Sequence, residues 1–401
     1  MRVGVGYSEN PDTTMGGIQA ATEAIKEGGL NRACDLVLMF ATARHNPEIL
    51  RAAVASVVGF SVPVVGGGAA GAISNRHFGY AGDQIILAAF WLEGIDYKIH
   101  IEGGLTDGEE ETGRRLGRQL AAEVKDPSTP VLLFYDAIHR VGEQVSMLMA
   151  TPLLAGLEQS LGFLPDLIGA GLQGDYVSSP TWQWTGQGIV QHHVLALTFG
   201  EALRIDSVIM HGCRPATSYY TVTKADRQTI LEINGQPALK FMRELLGPSI
   251  PPEAYAFFLI LGINRGDKWG RFDEENYASR LCLAIDKERD GIVMFEPDMV
   301  AGTEFQVMFR GMDLNYIPPR IEMLFDALED RQAVFALYIN CAGRASAYSG
   351  ADLEDAPVVQ KTINGRVPLL GIYSGVEIAS VKGRPRGLDW TGVLALFSVP
   401  K

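Results

Sequence analysis

One stretch of this chain is written twice. Asp35-Leu36-Val37-Leu38-Met39-Phe40 is a short run apolar enough for a buried strand. Asn46 and Pro47 then supply an N-cap and a first helical position. Ile49, Leu50, Ala53, Val54, Val57 and Val58 recur at helical spacing. Pro63-Val64-Val65 leads into Gly66-Gly67-Gly68-Ala69-Ala70-Gly71, and residues 84–91 and 96–101 read as two strands joined by a short turn. About 100 residues later the order returns. Residues 131–135 form a strand and 143–161 a helix. Gly169-Ala170-Gly171-Leu172-Gln173-Gly174 follows a proline, and two more strands span 189–197 and 203–210. Gly103 and Gly212 close the two units. A weaker third echo runs through a strand over 333–339, an Asn364-Gly365 hairpin signal, the segment 367–378 and a closing strand over 394–399.

Each unit reads strand, helix, strand, hairpin. Strand-helix-strand steps need right-handed crossovers, so some strands are parallel, and the hairpins add antiparallel ones. The expected fold is α/β: mixed β-sheets built from repeated strand-helix-strand-hairpin units with helices packed on the outside. A chain of 401 residues with 47% apolar content supports two or three domains at about 150 residues each. Asn234-Gly235-Gln236-Pro237 and Gly247-Pro248 mark the boundary. The first domain then covers 1–235, with internal repeats at 31–105 and 127–213, and the second covers 236–401.

Charge and segment lengths narrow the function. The 34 Lys and Arg against 47 acids leave a net charge of −13. That disfavours nucleic acid, which is bound by neutralising phosphates, and an anionic membrane surface. The longest apolar run, 85–92, is strand-sized, well short of the ~20 residues of a membrane span. No secretory signal opens the chain. Cys34, Cys213, Cys282 and Cys341 are scattered and form no C-x-x-C pair, which fits neither a disulfide framework nor a structural zinc site. A cytoplasmic protein is expected.

Both glycine segments fit G-x-G-x-x-G, but no helix follows either, as a dinucleotide site would require. They read as close backbone approaches or as one wall of a small-ligand pocket, with Gly66, Gly67, Gly68, Gly169 and Gly171 on it. His45 and His139 hold matching positions past strand ends, where ligand crevices lie. His192 and His193 are adjacent in an expected strand and so face opposite ways. Cys341 precedes Arg344, whose guanidinium suits a carboxylate. Ser374 and Glu377 lie among apolar residues, and a buried carboxylate needs a partner. No nucleophile–base–orienter set emerges from the spacing, so catalytic residues and a cofactor are not expected.

In order and spacing these segments resemble the FIST sensory domain family, with its N-terminal and C-terminal halves. The likeness runs through 35–42, 63–68, 169–171, Gly212-Cys213-Arg214-Pro215 and 221–225. It continues through 230–239, Arg280, Glu296-Pro297-Asp298, Cys341-Ala342-Gly343-Arg344 and 371–378. The resemblance implies a stand-alone cytoplasmic sensory protein that binds a small ligand, an amino acid or related acid, and signals to a partner in trans. Arg344, Arg280 or Arg214 would take a carboxylate, and Glu377 or Asp298 an ammonium. An alternative is a haem-based nitric-oxide sensor regulating a histidine kinase, with His45, His139, His192 or His193 as haem ligand. A further alternative is an enzyme using Cys341 or a carboxylate. Ligand identity and oligomeric state stay open.

Overall fold

The computed structural model describes residues 1–30, 32–311 and 313–401. Residue 31, where the first expected repeat begins, lies outside them. The apolar runs form strands packed on both faces. Leu36, Leu38 and Phe40 face one core while Val37, Met39 and Ala41 face another. Leu132 and Phe134 alternate in the same way with Val131, Leu133 and Tyr135. This is the period-two pattern of a strand with helices on one side and a second sheet on the other.

Three six-stranded sheets share one arrangement. In the first, Arg2–Ser8 pairs antiparallel with Ile85–Trp91, which pairs antiparallel with Leu36–Ala41, which pairs parallel with Val64–Gly68. The second repeats that order with Tyr97–Glu102, Val194–Phe199, Val131–Asp136 and Leu167–Leu172. The third does so with Arg204–Met210, Gly392–Pro400, Arg331–Cys341 and Leu369–Ser374. Two helices cover the outer face of each sheet: Thr13–Gly28 with Pro47–Val58, Glu109–Leu120 with Ala150–Leu161, and Ile317–Asp326 with Asp355–Ile363. The inner faces meet in a common core. There Phe40 packs on Phe134 and Phe90 on Phe335, each at 5.2 Å between ring centroids, and Phe335 packs on Phe397 at 5.0 Å.

The last strand position of each sheet is filled by a neighbour. Past its glycine strand, the first unit sends Gly71–Ser74 onto Leu369–Ser374 of the third sheet. The second unit sends Gln183–Thr185 onto Val64–Gly68 of the first. The third sends Val376–Val381 onto Leu167–Leu172 of the second. The exchange is cyclic, and it consumes the free edge that each parallel strand would otherwise expose.

The structure corrects three expectations. Ile85–Trp91 and Tyr97–Glu102 do not form a hairpin. The chain passes there from the first sheet to the second, and Ile85–Trp91 pairs with Arg2–Ser8 instead. Gly4 and Gly6 make that pairing compatible with a covering helix: a Cβ on Gly6 would lie 1.8 Å from the carbonyl oxygen of Ala20. The expected helix over 143–161 begins only at Ala150, because residues 138–147 form a separate two-stranded ribbon. Asn364-Gly365 ends a helix instead of turning a hairpin. Asn364 adopts a left-handed conformation with φ of 48° and bonds back to Gln360, a helix C-cap.

Between Arg204–Met210 and helix Ile317–Asp326 the third unit holds an insertion. Its strands run Glu304–Arg310, Tyr220–Asp226, Thr229–Ile233, Gly291–Met294, Tyr277–Asp286 and Ile260–Asn264, and Ile260–Asn264 pairs again with Glu304–Arg310. The ring closes into a small barrel. Cys213–Pro215 adds to its outside.

Candidate ligand-binding site

The glycine segments come together in the buried interior, strand against strand. Gly375 N–H donates to Gly171 O at 2.9 Å, and Ala70 N–H donates to Tyr373 O at 2.9 Å. A Cβ on Gly66 would lie 2.0 Å from Met39 O, one on Gly67 2.7 Å from the Leu172 side chain, and one on Gly68 2.8 Å from Thr181. On Gly169 it would lie 1.9 Å from Leu133 O, and on Gly171 2.7 Å from the Tyr135 hydroxyl. These five glycines let strands pass at close range. They pack against protein, where the sequence suggested a ligand-facing wall.

The polar candidates gather nearby as staples between barrel and sheets. Arg280 is fully buried on barrel strand Tyr277–Asp286. Its Nε and Nη2 each donate to Asp298 at 2.6 Å, and Nη1 donates to Ser279 O and to Gly387 O of the third unit. Arg344 donates from Nε to Asp355, from Nη1 to His211 O and Trp390 O, and from Nη2 to the Tyr316 hydroxyl, with Nη2 also 2.6 Å from the Asp355 carboxylate. Both guanidiniums are neutralised by the chain itself, so neither is free for a ligand carboxylate. Burial acts to raise the Asp298 carboxyl, but Arg280, by charge and hydrogen bonding, lowers it on balance, and Asp298 is likewise engaged. Glu296, also buried, accepts the N–H groups of Ala150 and Thr151 and so caps a second-unit helix from the barrel.

Glu377 is completely buried. It accepts the Ser374 hydroxyl at 2.9 Å and the Thr391 N–H at 3.3 Å. Burial, with the charge of Asp389 adding to it, pushes its carboxyl well above the ordinary range. Cys341 lies close by, and its thiol is raised by burial and then by Glu377. Asn340, beside it in sequence, has both amide atoms buried without a partner among the described residues. Chemically this centre favours the thiol over the thiolate at Cys341.

The four histidines do not gather at one point, though His139 and His192 lie side by side. His45 is buried, with Nδ1 3.1 Å from the Thr13 hydroxyl and Nε2 3.0 Å from Asp83 O. His139 sits on the two-stranded ribbon, its ring 5.0 Å from that of His192. His192 lies in a bend and His193 just before strand Val194–Phe199, neither within a strand, and His193 Nδ1 contacts Gln191 O. His45 has both ring nitrogens engaged and His193 has one, whereas the rings of His139 and His192 make no hydrogen bond among the described residues. The described residues include no cluster of three His, Cys, Asp or Glu placed to hold a metal. No described helix is long and apolar enough to cross a membrane.

An open recess of about 490 Å³ lies instead at one mouth of the barrel. The register sets Tyr220 opposite Phe305 and Asn264 opposite Tyr277, so Tyr219, Asn264, Tyr277 and Glu304 share that mouth. Such mouths are common ligand sites. A loop over 265–276 folds across it. Asn264 fixes the loop by accepting Gly266 N–H at 2.8 Å and donating to the Tyr219 hydroxyl at 2.7 Å. The loop presents Trp269, 82% exposed. Lys268 Nζ lies 5.0 Å from the Tyr219 ring centroid and 5.3 Å from that of Trp269, and bonds Glu304 at 2.5 Å. Arg271 lines the recess without a carboxylate partner among the described residues. Arg214 lies beside this mouth, 5.9 Å from the Phe272 ring. It is the one candidate arginine that stays outside the staples.

The sequence reading passed over Tyr219, Lys268, Trp269 and Arg271. Their signal is a tryptophan between Lys268 and Gly270-Arg271, in a polar loop where no apolar period accounts for it.

The FIST N domain pattern matches residues 35–236, and the FIST C domain pattern matches residues 238–380. The chain belongs to the FIST family. FIST domains are associated with sensory signal transduction. The junction between the two family patterns falls within the barrel, just before helix Ala238–Leu246. Among relatives, an uncharacterised protein of Mycobacterium tuberculosis is 25% identical over 411 aligned positions, covering 99% of this chain and 100% of that protein. An uncharacterised protein of Mycobacterium bovis is 29% identical over 193 residues, 47% of this chain. That match spans half the length (50%) of the relative.

Proposed function

We propose that this FIST protein is a non-enzymatic sensory module that binds a small carboxylic acid with a planar or aromatic body, such as an aromatic amino acid, at the barrel mouth. It passes the signal to a partner protein in trans. The observation that carries this reading is the pairing of exposed Trp269 with Lys268 and the uncommitted Arg271 around one recess. A flat apolar body stacks on the indole, and the carboxylate meets Arg271, with Glu304 already held by Lys268. The buried, protonated Cys341 supports binding in preference to nucleophilic chemistry. Binding would bias the loop over 265–276, because a ligand shifts an equilibrium only where it prefers one state.

Thermal shift against a panel of amino acids and aromatic acids tests the reading. A ligand at about 100 times its Kd adds about 2.7 kcal/mol, which for a chain of this size raises Tm by roughly 3 °C. The shift should vanish in Trp269→Ala and weaken at least tenfold in apparent affinity in Arg271→Gln. No shift with any acid, or a shift that both variants keep, overturns the proposal.

A further inference from the structure

A second concavity lies on the opposite kind of surface. Helices Ile317–Asp326 and Asp355–Ile363 cover the third sheet and leave a groove of about 1080 Å³ between them. Its walls are apolar: Leu314, Pro318, Leu353, Pro357 and Val358, with Phe78 from the first unit's exchanged hairpin. Leu353 is 51% exposed, although it gains nothing from water. The volume exceeds the roughly 300–1,000 Å³ of most small-molecule pockets, and the groove has the form that takes an amphipathic helix.

Charge selects among occupants. The groove carries Asp313, Glu322, Asp352 and Glu354 against Lys361 and Arg366. Arg366 is spent on Glu322, with two bonds of 2.8 Å, and on the Phe325 ring at 3.6 Å. Glu354 is held by Tyr80 and by the Ser346 N–H. Asp313 and Asp352 have no basic partner among the described residues. A second copy of a chain with net charge −13, or an anionic bilayer, would bring like charge to this rim.

The geometry points to a docking groove for a basic amphipathic helix of a partner protein, with its apolar face between the two helices and its Lys or Arg residues on Asp313 and Asp352. This inference is independent of the barrel-mouth ligand, and either stands if the other fails.

The test uses the full chain and a fluorescein-labelled 18-residue Leu/Lys peptide with an amphipathic helical pattern. The control is a peptide of the same composition with the pattern scrambled. Anisotropy should show saturable binding of the patterned peptide, at least tenfold tighter than the scrambled one. Leu353→Asp, at an exposed position that leaves the core intact, should weaken it tenfold or more. Asp313→Lys with Asp352→Lys should do the same and flatten the salt dependence. Circular dichroism melts confirm that both variants fold. Equal binding of the two peptides, no saturable binding, or binding that both variants keep overturns the proposal. Sedimentation showing self-association lost in Leu353→Asp would overturn it in favour of a second copy.

Discussion

At the scale of single residues, the charged groups of this protein are mostly committed to holding it together. Arg280 and Arg344 each clamp backbone carbonyls across a boundary while a carboxylate neutralises them, an arrangement that leaves a costly uncompensated charge if one partner is removed. Two aspartates are under a different strain. Burial raises Asp389 to about 7 against the pull of Arg280, and burial raises Asp136 to about 7 against the N–H groups of His192 and Ile138. Both native values lie above those of the unfolded chain, so the folded state holds these protons more tightly. The stability they contribute is full below about pH 4 and is lost as pH rises to about 7. Asp389→Asn keeps an acceptor for the Leu281 N–H, now 3.0 Å from Oδ2, and removes the charge. The variant should gain on the wild type across that interval, by up to about 1.4 kcal/mol per pH unit. Urea midpoints measured through the interval check it, and parallel curves would refute the assignment. That Glu377 is buried was legible from its apolar neighbours in sequence. That Arg280 and Arg344 are already satisfied was not, because Asp298 and Asp355 become their partners only once strands and loops are placed.

At the scale of elements, the strands read at 35–40 and 131–135, which the structure sets at 36–41 and 131–136, the capped helix after Asn46 and the glycine strands were all readable, because local pattern and tertiary environment agree there. What escaped was pairing. The same apolar alternation that marks Ile85–Trp91 as a strand cannot say whether Tyr97–Glu102 or Arg2–Ser8 lies beside it, and only the glycines at 4 and 6 carry that information. Those glycines make a sharp forecast. Gly6→Ala and Gly169→Ala each put a methyl group within 2 Å of a backbone carbonyl oxygen. They should therefore cost more than the 1–3 kcal/mol typical of overpacking. Gly188, with open space where a Cβ would go, serves as the control, and Gly188→Ala should shift the denaturation midpoint hardly at all. If all three variants melt together, the close approaches are softer than their distances imply.

At the scale of the whole molecule, the family's two halves are not two independent bodies. The third sheet takes Arg204–Met210 from before the barrel and Arg331–Cys341, Leu369–Ser374 and Gly392–Pro400 from after it, and every sheet ends on strands lent by another unit. Unfolding should accordingly be a single cooperative event across all three sheets. Leu370→Ala, a cavity in the third sheet worth roughly 2–5 kcal/mol, should lower native-state hydrogen-exchange protection at Val37 and Leu133 about as much as at Leu337. Protection lost in the third sheet alone would show that the units open separately. The cyclic lending also bears on how the chain is made. On a ribosome, Arg204–Met210 emerges well before Gly392–Pro400, its partner. At about 5–20 residues per second it waits roughly 10–40 seconds with an apolar edge uncovered, and the second sheet waits nearly as long for Val376–Val381. A nascent chain in that interval is a natural client for a chaperone, and stalling translation before residue 376 would leave the second and third sheets unfinished while the first already has all its strands.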